Sequence, residues 1–439
     1  MKTSRRLVFG RYDYAAFLGF FVYAAGTVVL PVTLVALADD LGFSLAQGGM
    51  TAGGALHLFR TVAIVASMLL CGFIAGRMGK RLAIGLALLL LTAGLALCAT
   101  APTYGVLLAA LLLAGCGEGT IEGLATPFVH DLHPQDSGRY INFTHSFWSV
   151  GVMVTVLAVG RLLAGRGSWR VAISAVAVLA FAAALLMLLP SRSENGVGRA
   201  PLPVHPSKDP LAARRRMLGG RARCRDLLSG TPEHPAPLHW KTVARQARAI
   251  MRMPRFWLFF AAMFLAGGGE FCLTYWSASY LQLNFGTTAF GGGAGLACFA
   301  GGMVLGRTGW GFLIRQQHLS MLVLVSALAG TVVTLLLPLQ SQVGPLMLVL
   351  FLAGVCTAPF WPSIQSYCAD RLPTADKTML MIMLSCAGIP GCGFFTWLMG
   401  LVANHHGLRP AFFLVPACYL AIAILIAVDQ QQRQRSRDG

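Results

Sequence analysis

The sequence predicts an all-α polytopic membrane protein, with twelve transmembrane helices in two pseudo-symmetric six-helix bundles. Three observations carry that prediction. The 439 residues are 56% hydrophobic and only 11% charged, whereas soluble domains carry about 25% charged residues. Apolar runs of roughly eighteen residues or more, enough to cross a bilayer as a helix, recur along the chain. One long polar stretch divides those runs six and six.

Span 1 runs from about Tyr14 to Ala38 and leaves the membrane at Asp39 and Asp40. The basic start MKTSRRLVFGRYDY superficially resembles a signal peptide, but the run is too long for an h-region and has no persuasive cleavage site. Span 2, Ala46 to Gly76, ends at the basic turn Arg77, Lys80 and Arg81. Span 3 is Leu82 to Thr100 and span 4 is Gly105 to Val129. Span 5 is Tyr140 to Leu163, and span 6 follows Trp169 and Arg170 to end near Pro190. Residues 191–253 are polar and rich in proline and arginine. The end of this linker, HWKTVARQARAIMRMP, sets Val243, Ala247, Ile250 and Met251 against Lys241, Arg245, Arg248 and Arg252, a pattern for a basic helix lying on lipid headgroups. Six more spans follow: Phe256 to Leu281, Thr288 to Ile314, Leu319 to Leu339, Val343 to Ile364, Met379 to Val402 and Pro410 to Val428. The domains are therefore 1–190, 191–253 and 254–439.

The two sets of six repeat each other. GFIAGRMGKR, ending span 2, aligns with GMVLGRTGWG, ending span 8, so that Gly72, Gly76, Arg77 and Gly79 match Gly302, Gly306, Arg307 and Gly309 at an offset of 230. Pro127-Phe128 in span 4 matches Pro359-Phe360 in span 10 at an offset of 232. Such repeats mark secondary transporters.

The net charge of +18 follows the same topology. Of the 34 Lys and Arg residues, only Arg161, Arg166, Arg170 and Arg409 fall on the far side, and Arg60 falls inside a span. This asymmetry places both termini in the cytoplasm and argues against a nucleic-acid partner. Ten of the 11 cysteines lie in or beside spans, with Cys224 in the linker, and no C-x-x-C pair occurs. They read as small packing residues.

Twelve spans in two related halves joined by a basic linker resemble the major facilitator superfamily. The superfamily's short signature after span 2, G-x-x-x-D-R-x-G-[RK]-[RK], is matched by Gly72, Arg77, Gly79, Lys80 and Arg81, with Gly76 at the aspartate position. In the family that aspartate helps latch the outward-open state. INFTHSFWSVG in span 5, with Asn142, His145 and Gly151, resembles the fucose–proton symporter and sugar permease branch. So do GGGEFCLTYW in span 7 and GIPGCGF in span 11. The resemblance implies a proton-coupling acid in span 4. It also implies one in span 1, where no carboxylate lies between Tyr14 and Ala38.

Charge inside a span is expensive and by default marks a function. In span 4, Glu118 and Glu122 share one helical face, and Gly115, Gly119 and Gly123 form a second stripe about 100° away, suited to close helix packing. A carboxylate charge is costly in low dielectric, so either glutamate can load and release a proton as water reaches it. Structural pairing is the other reading. Glu118, the deeper residue, comes first for coupling, and Glu122 suits the gate. Arg60, with His57 on the same face of span 2, either pairs with a span 4 glutamate or offers its planar fork to an anionic substrate group.

In span 7, Gly267, Gly268 and Gly269 predict a bend beside Glu270, with Thr274 and Ser277 continuing its face. Glu270 either serves coupling and substrate contact or forms a structural pair. In span 5, Asn142, His145 and Ser149 share a face, and His145 either titrates or packs. Trp148, Tyr275, Trp276, Trp361 and Trp397 offer stacking platforms or serve packing. Arg307 is expected at the cytoplasmic edge, as a gate or lipid-facing charge.

These features predict a secondary active transporter for a small polar organic solute, coupled to protons and set in the lipid of a bacterial cell inner membrane as a monomer. Proton symport is favoured and proton-driven export is the alternative. No H-e-x-x-H metal set and no G-x-S-x-G elbow occurs, so no enzyme, metal or cofactor is expected.

Overall fold

The computed structural model describes residues 8–133, 137–189, 240–313 and 316–438. Twelve helices among them are long and apolar enough to cross a membrane. The spans of the first half are Arg11–Asp40, Met50–Met78, Lys80–Thr100, Tyr104–Leu132, Phe143–Ala164 and Trp169–Leu188. Those of the second are Pro254–Phe285, Ala289–Trp310, Leu319–Leu339, Val343–Arg371, Met379–His406 and Leu408–Gln434. Twelve alternating spans put the first and last described residues at one end of the bundle, the terminal end; the other is the distal end.

Helix ends extend past the apolar runs because polar residues complete the last turns. Span 1 begins at Arg11, and Asp13 reaches back to accept a hydrogen bond from the Gly10 N–H at 2.7 Å. Span 10 is not one helix: it stops at Thr357 and resumes at Phe360. Pro359 lacks the N–H that an unbroken helix needs there. Span 12 begins with one short turn, Leu408–Ala411, before its main helix, Leu414–Asp438. The bend expected at Gly267–Gly269 is not an interruption, since span 7 is helical from Pro254 to Phe285. Those glycines instead let neighbours in: a side chain there would collide with the Gly388 carbonyl, the Phe395 ring or the Tyr419 ring.

Packing repeats with the sequence. Span 1 lies on spans 5 and 6, span 2 on span 4, and span 3 on span 6; span 7 lies on 11 and 12, span 8 on 10, and span 9 on 12. A pair of arginines marks the same repeat at the distal end. Arg170 donates to the Ala99 and Ala101 carbonyls at 3.1 and 2.8 Å, and Arg409 donates to the Gln340 carbonyl at 2.7 Å. The steps from 170 to 409 and from 101 to 340 are both 239.

The halves meet mainly along span 2 against span 11 and span 5 against span 8. At the distal end both seams are closed by glycine. A Cβ at Gly54 would lie 2.8 Å from the Thr396 carbonyl oxygen, and one at Gly160 would lie 3.0 Å from that of Ala289. Across the same seam, the Tyr275 hydroxyl donates to the Gly53 carbonyl at 2.7 Å.

The expected basic helix is present as Trp240–Met251, packed against spans 7 and 11. It buries Ile250 and exposes Arg245 and Arg248. The side chains of Lys241 and Val243 lie outside the described residues, as do residues 190–239 with Cys224.

Candidate functional site

The glycine stripe of span 4 positions the first part of the site. Gly115, Gly119 and Gly123 press against Arg60, Ile64 and Cys71 of span 2, where any side chain would collide. This close approach brings Arg60 onto Glu118. Arg60 Nε donates to Glu118 Oε2 at 2.7 Å, its Nη2 bonds Glu118 Oε1, and Nη2 also donates to the Gly26 carbonyl at 2.7 Å. Both side chains are fully buried, 1% and 0% exposed. Of the two readings open for Arg60, the pairing is the one formed. His57, one turn away, is also buried, stacked on Phe271 at 4.9 Å and tilted against Tyr275 at 5.3 Å. Its two ring nitrogens and Arg60 Nη1 have no hydrogen-bond partner.

Glu122 lies one turn closer to the terminal end and is only half-buried. It faces the Tyr23 hydroxyl of span 1 and the charge of Arg307 from the other half. The tyrosine lies three residues before Gly26, so one face of span 1 serves both glutamates.

Arg307 itself is drawn inward rather than out to lipid. Span 8 runs from the distal to the terminal end, and helical side chains tilt toward their helix N-terminus. The guanidinium thus turns back into the bundle, where Nη2 meets Glu270 Oε1 at 3.3 Å. It also lies 5.6 Å from the ring centre of Trp148, across the interface between halves. Arg307 is 30% exposed and Glu270 3%. The pair is incomplete: Glu270 Oε2 and Arg307 Nε are buried without partners, and so is the indole nitrogen of Trp361, which faces Glu270.

His145 accompanies them on span 5. It bonds Thr126 of span 4 at 2.9 Å and packs on Phe20 of span 1 at 4.5 Å, yet stays exposed. A small apolar crevice lies between spans 5, 7 and 8, lined by Trp148, Ser149 and Val152 of span 5, Thr274 of span 7, and Phe299 and Met303 of span 8. Arg307 thus joins Glu270 of its own half to Trp148 of the other. Thr274 and Ser277 spend their hydroxyls on their own helix, at 2.9 and 2.5 Å. Trp276 is buried with its indole bonded to the Thr396 carbonyl at 3.0 Å, and Tyr275 belongs to the seam. The side chain of Asn142 lies outside the described residues.

Family comparison accounts for this architecture. The model of the Major Facilitator Superfamily matches residues 15–341. The chain belongs to the Major Facilitator Superfamily. It is a multi-pass integral membrane protein. The fold is shared with the nucleoside transporter NupG, at a TM-score of 0.69 and 14% identity over 95% of this chain and 98% of that one. It is also shared with a D-xylose–proton symporter, at 0.67 and 13% over 95% and 96%. FucP in its outward conformation matches at 0.59 and 17% over 95% and 98%.

Curated relatives include the multidrug resistance protein MdtG of Citrobacter koseri, 27% identical over 124 residues. That match covers 28% of this chain and 30% of the relative. MdtG of Salmonella arizonae is 29% identical over 117 residues, 27% of this chain and 28% of that one.

The superfamily's signature loop sits at the terminal end. Gly72, Gly76, Arg77 and Gly79 are exposed there. Lys80 pairs with Asp131 of span 4 at 2.7 Å and donates to the Pro127 carbonyl at 3.3 Å. Arg81 bonds the Tyr12 hydroxyl.

Two further pairs had weak sequence signals. Asp13 accepts from His133 at 2.6 Å, although it precedes the apolar run. Asp429, just beyond the run of span 12, is fully buried. It takes both Arg371 nitrogens at 2.9 and 3.1 Å and the Tyr367 hydroxyl at 2.5 Å.

Proposed function

We propose that the protein is a proton-coupled symporter of a small polar organic solute, working by alternating access. Residues 1–190 and 254–439 rock against each other, and residues 191–253 tether them. It works as a monomer in a bacterial inner membrane with both termini cytoplasmic, an orientation supported by the distribution of Lys and Arg. The distal glycine seam and the accessible His145 at the other end then correspond to an inward-facing state.

One observation carries the coupling: Glu270 of one half holds the partly exposed Arg307 by a single 3.3 Å contact, while Glu122 of the other half lies within the field of that charge. A cation held so loosely by one carboxylate can shift toward the other when the first is protonated. The charge can therefore report which half is loaded. The geometry moves the first place in coupling from Glu118, closed off by Arg60 and the Gly26 carbonyl, to this trio.

A thermal-shift screen at two pH values supplies a solute, and proteoliposomes with an imposed pH gradient test its accumulation. Glu270→Gln is expected to abolish gradient-driven accumulation while sparing counterflow. Unchanged accumulation in both Glu270→Gln and Glu122→Gln sinks the scheme. Proton-driven export is the second reading, favoured by the MdtG matches. It predicts accumulation only when the proton gradient is reversed.

A further inference from the structure

The geometry points to Arg307 as the receptor for the carboxylate of an organic acid substrate, one whose apolar body packs on the Trp148 indole where the halves meet. This deepens the transporter reading and rests on it.

Three features of the site select that chemistry. A guanidinium is a planar fork that pairs best with two oxygens at once. In this chain the fork is half used: Nη2 has one contact to Glu270, 3.3 Å long, and Nε is buried with none. The contrast with Arg60, whose fork is filled by both oxygens of Glu118, is internal to the same protein.

The second feature is the crevice. Met303 stands one turn before Arg307 on span 8, and Trp148 packs against the guanidinium while also lining the crevice wall. Its lining is apolar apart from Ser149 and Thr274, and the Thr274 hydroxyl is already bonded to its own helix. A guanidinium beside an indole and an apolar wall fits an acid with a ring or alkyl body better than a polyhydroxylated neutral sugar.

The third feature is the competitor. Glu270 occupies the place a substrate carboxylate would take, so the incoming acid displaces it, and the displaced carboxylate becomes the group that accepts a proton. The groups facing it are Arg307 on span 8, Trp361 on span 10, Cys392 on span 11 and Tyr419 on span 12. Glu122 and His145 of the other half lie within the field of Arg307. Once Arg307 is taken by substrate, no other cation is among them unless His145 is protonated. Charge then balances as substrate anion plus one proton entering together.

The test uses purified full-length protein in detergent, with benzoate and benzamide as probes of one shape and two charges. Benzoate is expected to raise Tm and benzamide is not. Arg307→Gln and Arg307→Lys are both expected to lose the benzoate shift while eluting as folded protein. Glu270→Gln is expected to tighten benzoate binding at least several-fold, a gain that misfolding does not produce. Equal responses to the two probes, no response to benzoate at high millimolar concentration, or an undiminished shift in Arg307→Gln each overturn the proposal. Flux separates the two readings. Benzoate binding without flux in proteoliposomes defeats the transporter reading alone, and gradient-driven flux of a neutral solute without any acid preference defeats this one alone.

Discussion

Two arginine–glutamate pairs sit inside the bundle, and they differ in every respect that matters. Arg60 and Glu118 are sealed, bidentate and further tied to the Gly26 carbonyl. Arg307 and Glu270 share one 3.3 Å contact, leave an atom unbonded on each side, and keep the arginine 30% exposed. The first pair lies within spans 2 and 4, pressed together by the glycine stripe. The second sits at the junction of the halves, with Trp148 and Glu122 of the opposite half in reach. A full set of bonds fixes a charge in place, whereas a partial set leaves it free to change partners. On the proposed reading, the same two residue types serve as a lock in one place and a working pair in the other.

The sharpest way to break this comparison is to open the lock. Removing one partner of a buried pair strands a charge, so Arg60→Ala or Glu118→Ala is expected to cost about 3–5 kcal/mol. Thermal unfolding in detergent reads this as a large fall in Tm. The double variant Arg60→Met with Glu118→Leu is expected to recover most of the loss. If it also retains transport, the lock has no catalytic duty; lost transport with recovered stability assigns it one.

Next comes the stripe that holds the lock together. Gly119→Val drives a side chain into the Ile64 carbonyl and Ser67, at a cost of about 1–3 kcal/mol. Gly76→Ala, in open space on the exposed end of span 2, is the matched control and is expected to leave Tm unchanged. Equal effects at the two positions contradict the packing role.

A smaller stability change is expected at the working pair. Glu270→Gln gives up a single long contact and leaves an arginine that still reaches solvent, so Tm should shift by the equivalent of about 1 kcal/mol. Accumulation should nevertheless fail. A fall in Tm as large as that of Glu118→Ala would make the two pairs alike and erase the distinction. The smallest effect belongs to Lys80→Ala. Its pair with Asp131 has side chains 32% and 58% exposed, and exposed pairs contribute roughly 0–1 kcal/mol. Added salt should mimic the substitution.

The twelve spans and their repeat were legible in the sequence because lipid forces every crossing into an apolar run of nearly fixed length. The glycine stripe was legible for a similar reason, since fourfold spacing in a helix has few uses. The chemical ranking of the glutamates was not. Depth ranked Glu118 first for coupling, but depth in sequence does not say whether a partner is close enough to close both oxygens, as Arg60 does. Arg307 was misplaced because its position along span 8 is near the end, while its long side chain doubles back. Tyr23 gave almost no signal, because a tyrosine in an apolar span most often packs or anchors. Asp13 and Asp429 escaped because hydropathy trims a span at its first charge, even where a partner draws that charge inside.

The distal seam has a consequence for how the protein meets its surroundings. Among the described residues, the ion pair at that end, Asp40 with Arg170 at 2.9 Å, stays within the first half. What joins the halves there is glycine contact and the Tyr275–Gly53 hydrogen bond. Parting that seam breaks no ion pair among the described residues, so ionic strength has little hold on it. Sensitivity to dissolved ions belongs to the opposite mouth, where Lys80, Asp131 and Arg77 stand in the open. On the proposed orientation, a cell whose outer medium swings between fresh and saline would then find the outward step nearly unchanged.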